Sequence, residues 1–506
     1  MRIVIVGAGS SGCVLAHRLS ASGDHHVTLV EAGPDYVPAD LPADLADGRQ
    51  NSLSSHDWGF KHRVNSKQRL KFPLPRGRVV GGSSAVNTCI ALRGQPEDYD
   101  EWASRGLDGW GWADVLPSFR RLERDLQYGD RPWHGDAGPM PLTRYAEADW
   151  TPWQQAFVAS AREVGYAACE DTNEPGRFGV GPHTMNCVDG RRISAAEAYL
   201  TPDVRARETF ELRSETEALR VRFEGARVVG LEVQRGGDVE VLPADRVILC
   251  AGSLLTPLVL LRSGVGRRDD LDTHGVAPIA INENVAARLL DHPGCAMFFR
   301  PRRGVVRRDY PLIQTALRVS SEVSGVPGDI LIQPGSKVPF PEKALPLCSI
   351  MVSIGKPTGT GTLRYTSIRP GRVKLDVRSA LLDHDGDRAM AVAAMQRVAE
   401  LAAQGPARDC AKHLYPTRRT AQSADRIDAW VRKSTDSGYH PSGTVPMGAD
   451  DDTTAACDRD GRVRGVEGLY VGDASLMPTI PSANIHLATL MIAERLAERW
   501  GGAPGA

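Results

Sequence analysis

Three groups of residues in this 506-residue chain have types and spacing suited to chemistry. The first is Gly7-Ala8-Gly9-Ser10-Ser11-Gly12, with Glu31 nineteen residues past its last glycine. Between a strand and a helix, such glycines permit a tight turn and close approach of a pyrophosphate to the helix N-terminus. A carboxylate ending the next strand accepts ribose hydroxyls. This is a dinucleotide-binding pattern, which by itself does not choose NAD over FAD. The second group runs from Pro75-Arg76-Gly77-Arg78 through Gly81-Gly82-Ser83-Ser84 to Asn87. Paired glycines and small hydroxyls let backbone amides reach a flat polar ring edge, and equally suit a plain turn. The third is a pair of histidines. Read alone, His440 fits a structural His-Pro-Ser-Gly turn, extended by the proline after it, and His486 fits the start of the last helix.

The elements that must carry these residues follow from periodicity. Residues 2–6 form an apolar, β-branched strand, Leu15 and Leu19 fall at helical spacing, and 27–30 is a second buried strand, which together read as a βαβ opening. A helix is expected over 110–123 and irregular structure over 125–153. Short strands at 210–212, 227–234, 239–242 and 246–250 read as an antiparallel meander feeding one buried strand. Strand signals at 330–332, 349–354, 361–365 and 373–377, followed by an alanine-rich helix over 387–403, fit a sheet backed by a helix. A strand at 469–471 and a helix over 488–500 return to the style of the opening.

Composition narrows the function. The 61 Lys and Arg balance 62 Asp and Glu, so there is no basic field to draw the chain to nucleic acid. Val247 to Leu261 is the longest nearly apolar run, about fifteen residues broken by Gly252, Ser253, Thr256 and Pro257, short of the roughly 20 a membrane helix needs. The N-terminus leads straight into a strand with no secretory pattern, so a cytoplasmic location is expected. Nine cysteines without a CxxC pair suggest reduced, mostly buried thiols and no metal site. Only nine basic residues are Lys, which suggests a GC-rich bacterial genome. Arg300, Arg302, Arg303, Arg307 and Arg308 read as a solvated loop, or as a basic lid for an anionic substrate or acceptor.

The order of motifs resembles the glucose-methanol-choline (GMC) oxidoreductase family. Pro75 to Gly94 is similar to its first signature, and Ala251-Gly252-Ser253 through Ser263-Gly264-Val265-Gly266 to its second. His440-Pro441-Ser442-Gly443-Thr444 and Gly472-Asp473-Ala474-Ser475 are similar to its active-site and flavin-binding ends. The resemblance implies an α/β fold, α+β overall, with a discontinuous Rossmann-like FAD-binding domain (1–150, 190–292 and 435–506). A smaller substrate-binding domain (151–189 and 293–434) would hold an antiparallel sheet backed by helices.

It places FAD on Gly7, Gly9, Ser10, Ser11, Gly12 and Glu31, with Arg78, Gly82, Ser83 and Asn87 toward the flavin, Leu219 beside the adenine and Asp473 on the ribityl-pyrophosphate. Val86 stands where some members attach FAD covalently, so the flavin is expected to be non-covalent. Where the family often has Pro-Gly-Val-Gly, this chain has Asn282-Glu283-Asn284-Val285-Ala286. The implied activity is oxidation of a small-molecule alcohol to a carbonyl by hydride transfer to flavin N5, with oxygen or another acceptor reoxidising the flavin. The resemblance makes His440 the base and His486, rather than Asn484, the second catalytic residue. The alternatives are an FAD-containing hydroxynitrile lyase without net redox and a non-catalytic dinucleotide-binding protein.

Overall fold

A strand that is apolar at four consecutive positions, as Ile3 to Val6 is, has no face to offer water and belongs inside a covered sheet. The structure, a computed structural model, describes residues 1–53, 55–338 and 346–501, and in it Arg2–Val6 is the central strand of a parallel five-stranded sheet. The order is Phe210–Arg213, His26–Val30, Arg2–Val6, Arg246–Leu249, Leu469–Val471, in register at Ile5 with Leu29 and at Val4 with Val247. Strand order reverses beside Arg2–Val6, and ligands bind at such a switch point in open α/β sheets. The helices Ser10–Leu19 and His486–Arg499 pack against each other over this sheet, joined by a buried Arg18–Glu494 ion pair at 2.9 Å.

The meander is Thr216–Glu224, Arg227–Arg235 and Asp238–Pro243. It gains a strand over 216–224 and loses 210–212, which pairs in parallel with His26–Val30 instead. The periodicity of three residues does not say which edge they join.

A second, antiparallel sheet has the order Ala411–Tyr415, Pro293–Pro301, Cys348–Ile354, Ile330–Gly335, Thr315–Val319, Gly179–Pro182, with Asp436–Ser437 added beside Pro293. The helix Asp385–Ala403 covers one face, where Met390, Ala394, Met395 and Val398 meet Met297, Phe299, Ile350 and Val352 in a separate core. Thr362–Ser367 and Lys374–Arg378, grouped with this sheet by sequence, pair instead with Lys61–Arg63 and Lys71–Pro73 in a four-stranded sheet. The Asn282 to Ala286 turn closes without glycine: buried Ala286 takes φ +56°, left-handed backbone, while Asn282 and Asn284 donate to Ala456 O and Thr453 O. No helix among the described residues is long and apolar enough to cross a membrane.

Candidate active site

At the carboxyl end of the central strand, two glycine loops touch. Gly81 N donates to Ala8 O at 2.7 Å, and a Cβ on Gly82, at φ +52°, would sit 2.7 Å from Gly9 Cα. Only glycine fits that approach, and it leaves exposed backbone lining one cavity of about 320 Å³. Of the residues singled out by sequence, Gly7, Gly9, Ser10, Ser11, Glu31, Gly82, Ser83, Asn87, Asp473, His440 and His486 line it, as does Val86.

Three others do not. Gly12 packs against the Gly7 carbonyl with no room for a Cβ, which closes the turn rather than the cavity. Arg78 is exposed, its guanidinium 5.1 Å from the Trp58 ring centre, with Trp58 itself on the wall. Leu219 is the extra residue of a β-bulge between Ala218 and Arg220, so Glu217 and Ala218 face the cavity in its place. Alternation along a regular strand could not have located that slip.

Glu31 is buried, and its oxygens accept from Ala8 N at 3.0 Å and Gly33 N at 2.8 Å. Desolvation pushes its carboxyl up to about 7 despite these donors. Asp473 accepts from Gly252 N, Thr256 Oγ1 and Ser475 N at 2.6–2.8 Å, fixing the loop after the last parallel strand, and burial raises its pKa too.

The opposite end is built around His440. The chain over 436–442 is pinned along 290–294: Asp436–Ser437 pairs with Pro293–Gly294, Gly438 N donates to His292 O, and Leu290 and Ser442 exchange backbone hydrogen bonds. Tyr439 is forced to φ +63°, a strained position for a residue with a Cβ, which turns His440 inward. The imidazole is half-buried on the cavity wall, and its pKa lies well below the ordinary 6.5, first through desolvation and then through neighbouring His292 and Arg76. Its Nε2 is 3.1 Å from Asn484 Nδ2.

Asn484, not His486, is therefore the side chain that meets His440. Its loop is braced by Asp98 Oδ2, which accepts from Ser482 N at 2.9 Å, and by Arg318, which donates to Ser482 O at 2.6 Å. Two residues on, at the first position of the last helix, His486 turns to the other loop: its Nδ1 lies 3.3 Å from Ser10 Oγ, and its Nε2 is buried with no protein partner. Burial brings its pKa down to about 4. The family resemblance put the second catalytic position on His486, two residues past Asn484 and already in the helix.

The GMC oxidoreductase N-terminal model matches residues 1–294 and the GMC oxidoreductase C-terminal model residues 357–493. The chain belongs to the GMC oxidoreductase family. It is 33% identical to 5-(hydroxymethyl)furfural oxidase of Methylovorus sp. (strain MP688), covering 98% of this chain and 97% of that one. It is 34% identical to the mitochondrial choline dehydrogenase of Mus musculus, over 99% and 89%. The crystal structure of pyridoxine 4-oxidase from Mesorbium loti superposes with a TM-score of 0.91 at 30% identity, covering 99% of both chains.

As a GMC oxidoreductase, the protein is an FAD-dependent enzyme acting on CH–OH donors. The cavity suits that cofactor: its wall is glycine backbone at a helix N-terminus, and His486 Nε2 is a buried polar atom without a partner in the protein.

Proposed function

We propose that the enzyme oxidises a neutral primary alcohol borne on an aromatic ring, with His440 as the base that takes the hydroxyl proton. The observation that carries this is the pair at the cavity wall: His440 Nε2, kept neutral, beside Asn484 Nδ2 at 3.1 Å. A neutral imidazole can accept a proton, and the amide can hold the hydroxyl oxygen so that its O–H points at Nε2. FAD, when bound, supplies the acceptor for the two electrons that leave the carbinol carbon. Both glycine loops, with Glu31, Ser83, Asn87 and Asp473, would hold that group, and His486, turned to Ser10 at the helix start, would serve it rather than the alcohol.

The aromatic preference rests on what surrounds His440. Tyr439, Trp58 and Phe60 on the cavity wall offer ring faces, and of the lining cations Arg76 and Arg262 it is Arg76 that acts on His440, donating to Tyr439 O at 2.7 Å. The acidic residues lining the cavity are Glu31, Glu217 and Asp473, two of them engaged with backbone amides of the glycine-rich loops. A quaternary ammonium would meet the Arg76 guanidinium, while Asp291, the carboxylate nearest His440, is buried and engaged by Ser437 Oγ and two backbone N–H groups, which disfavours it. Furfural-type and pyridoxine-type alcohols, the substrates named for two relatives, match this environment.

The test is anaerobic flavin bleaching by 5-(hydroxymethyl)furfural, pyridoxine, benzyl alcohol and choline. Bleaching by the ring alcohols and not by choline is expected. Bleaching by choline alone would reverse the assignment, and no bleaching by any alcohol would remove it.

A further inference from the structure

Behind His440 stands a second histidine that no sequence motif marked as functional. His292 Nδ1 lies 2.9 Å from His440 Nδ1, with the rings edge to face at 79°. Its Nε2 lies 3.0 Å from each of two carbonyl oxygens, those of Gly355 and Pro481. Carbonyl oxygens only accept, so this Nε2 carries the hydrogen. The ring is buried and its pKa is brought down to about 4, so it is neutral and its Nδ1 is a bare lone pair. A close contact between two Nδ1 atoms needs one hydrogen between them, and His440 alone can supply it. His440 is then the Nδ1–H tautomer, which leaves the lone pair on Nε2, the atom beside Asn484.

We infer that His292 is a positioning residue, which fixes His440 in the tautomer whose Nε2 can take a hydroxyl proton. This rests on the reading of His440 as base. In that step the hydroxyl O–H bond breaks and an N–H bond forms at His440 Nε2. The Nδ1–H of His440 stays on the His292 Nδ1 lone pair throughout, and the His292 ring is held in place by its own N–H between two carbonyl oxygens. A base of this kind is more often oriented by a carboxylate. Here the nearby carboxylate does something else: Asp291 Oδ1 accepts from the backbone N of both His292 and His440 at 2.9 Å. Asp291 clamps the two main chains, and the neutral ring of His292 sets the tautomer.

Selective 15N-histidine NMR of the FAD holoenzyme without substrate tests this, with His440 assigned through His440→Asn. The expected wild-type state is N–H at Nδ1 and a bare Nε2, and in His292→Leu the hydrogen moves wholly or partly to Nε2. In His292→Asn, where an amide oxygen can replace the Nδ1 acceptor, the wild-type tautomer returns. In anaerobic reduction by 5-(hydroxymethyl)furfural, His292→Leu should lose roughly 100-fold in limiting rate, with FAD content and alcohol Kd changing by less than about twofold, and His292→Asn should recover part of that loss. A protonated Nε2 in the wild type, an unchanged tautomer in His292→Leu, or a limiting rate within about threefold would overturn the inference. Undiminished reduction in His440→Ala would instead overturn the base reading, while the substrate-free NMR result still reports on the tautomer.

Discussion

Asn484 Nδ2 lies 3.1 Å from His440 Nε2, which joins the loop before the last helix to the turn that leaves the antiparallel sheet. In the proposed reaction the Asn484 amide also holds the alcohol oxygen, and a hydrogen bond to that oxygen as it gains alkoxide charge is worth about 1.5–3 kcal/mol, or roughly 10- to 100-fold in rate. Asn484→Ala should slow anaerobic flavin reduction by that much. His486→Ala should slow it less, and should lower FAD retention or shift the flavin absorption bands, because its ring turns to Ser10 and the cofactor loop. A larger rate loss in His486→Ala at full FAD content would restore His486 to the alcohol side.

Gly82 at φ +52° lies against Gly9. An alanine there carries the left-handed penalty of about 1–2 kcal/mol and a backbone clash besides. Gly82→Ala should purify largely without FAD and melt at a lower temperature, whereas Gly23→Ala, also at positive φ but with open space around it, should keep its FAD. Equal FAD content in the two variants would count against the contact between the loops.

Val86 lines the cavity and has no nucleophile. Acid precipitation should therefore release all the flavin to the supernatant. A yellow pellet would mean that another side chain is attached to it.

Away from the cavity, His134 is fully buried between Glu123 and Asp171, each 2.8 Å from one ring nitrogen, with Arg144 paired to Asp171. Desolvation alone would lower its pKa, but the hydrogen bonds its ring N–H groups donate to Asp171 and Glu123 outweigh that and raise it, while Asp171 is held far below the usual carboxylate range. A histidine raised in the folded state contributes stability that is complete below pH 6.5 and is lost as pH rises through the folded value. Breaking such a buried network costs about 3–5 kcal/mol. In urea unfolding, His134→Gln should fall short of wild type by more at pH 6 than at pH 9. An equal deficit at both values would show that His134 is neutral in the fold.

Four strands of the parallel sheet and the two glycine loops were legible because local patterns specify them: an apolar run, a glycine turn and Glu31 at a fixed distance. What depended on long-range geometry was not. The bulge that removes Leu219 from the wall is a register event between strands. The strand Lys374–Arg378 finds its partner in Lys61–Arg63, more than 300 residues earlier in the chain. Asn484 lies in the loop that Asp98 and Arg318 brace and His486 two residues on opens the helix, a difference in direction that residue type does not reveal. His292 belongs to an Asp-His pair to which the sequence gives no role, since its meaning comes from a ring 148 residues away and two backbone carbonyls.

The central claim is that neutral His440 takes the proton. A positioned base contributes about 10²- to 10⁴-fold, and a histidine whose pKa lies well below 6.5 stays competent as pH falls to that value. Desolvation, His292 and Arg76 all keep it low, while Asp291 engages its backbone. The direct measurement is the limiting rate of anaerobic flavin reduction by 5-(hydroxymethyl)furfural, followed by stopped flow between pH 6.5 and 8.5 in wild type and His440→Ala. We expect a wild-type rate that is flat across this range and a variant slower by at least about 100-fold with FAD still bound. A variant within about threefold of wild type would contradict the assignment of His440 as the base.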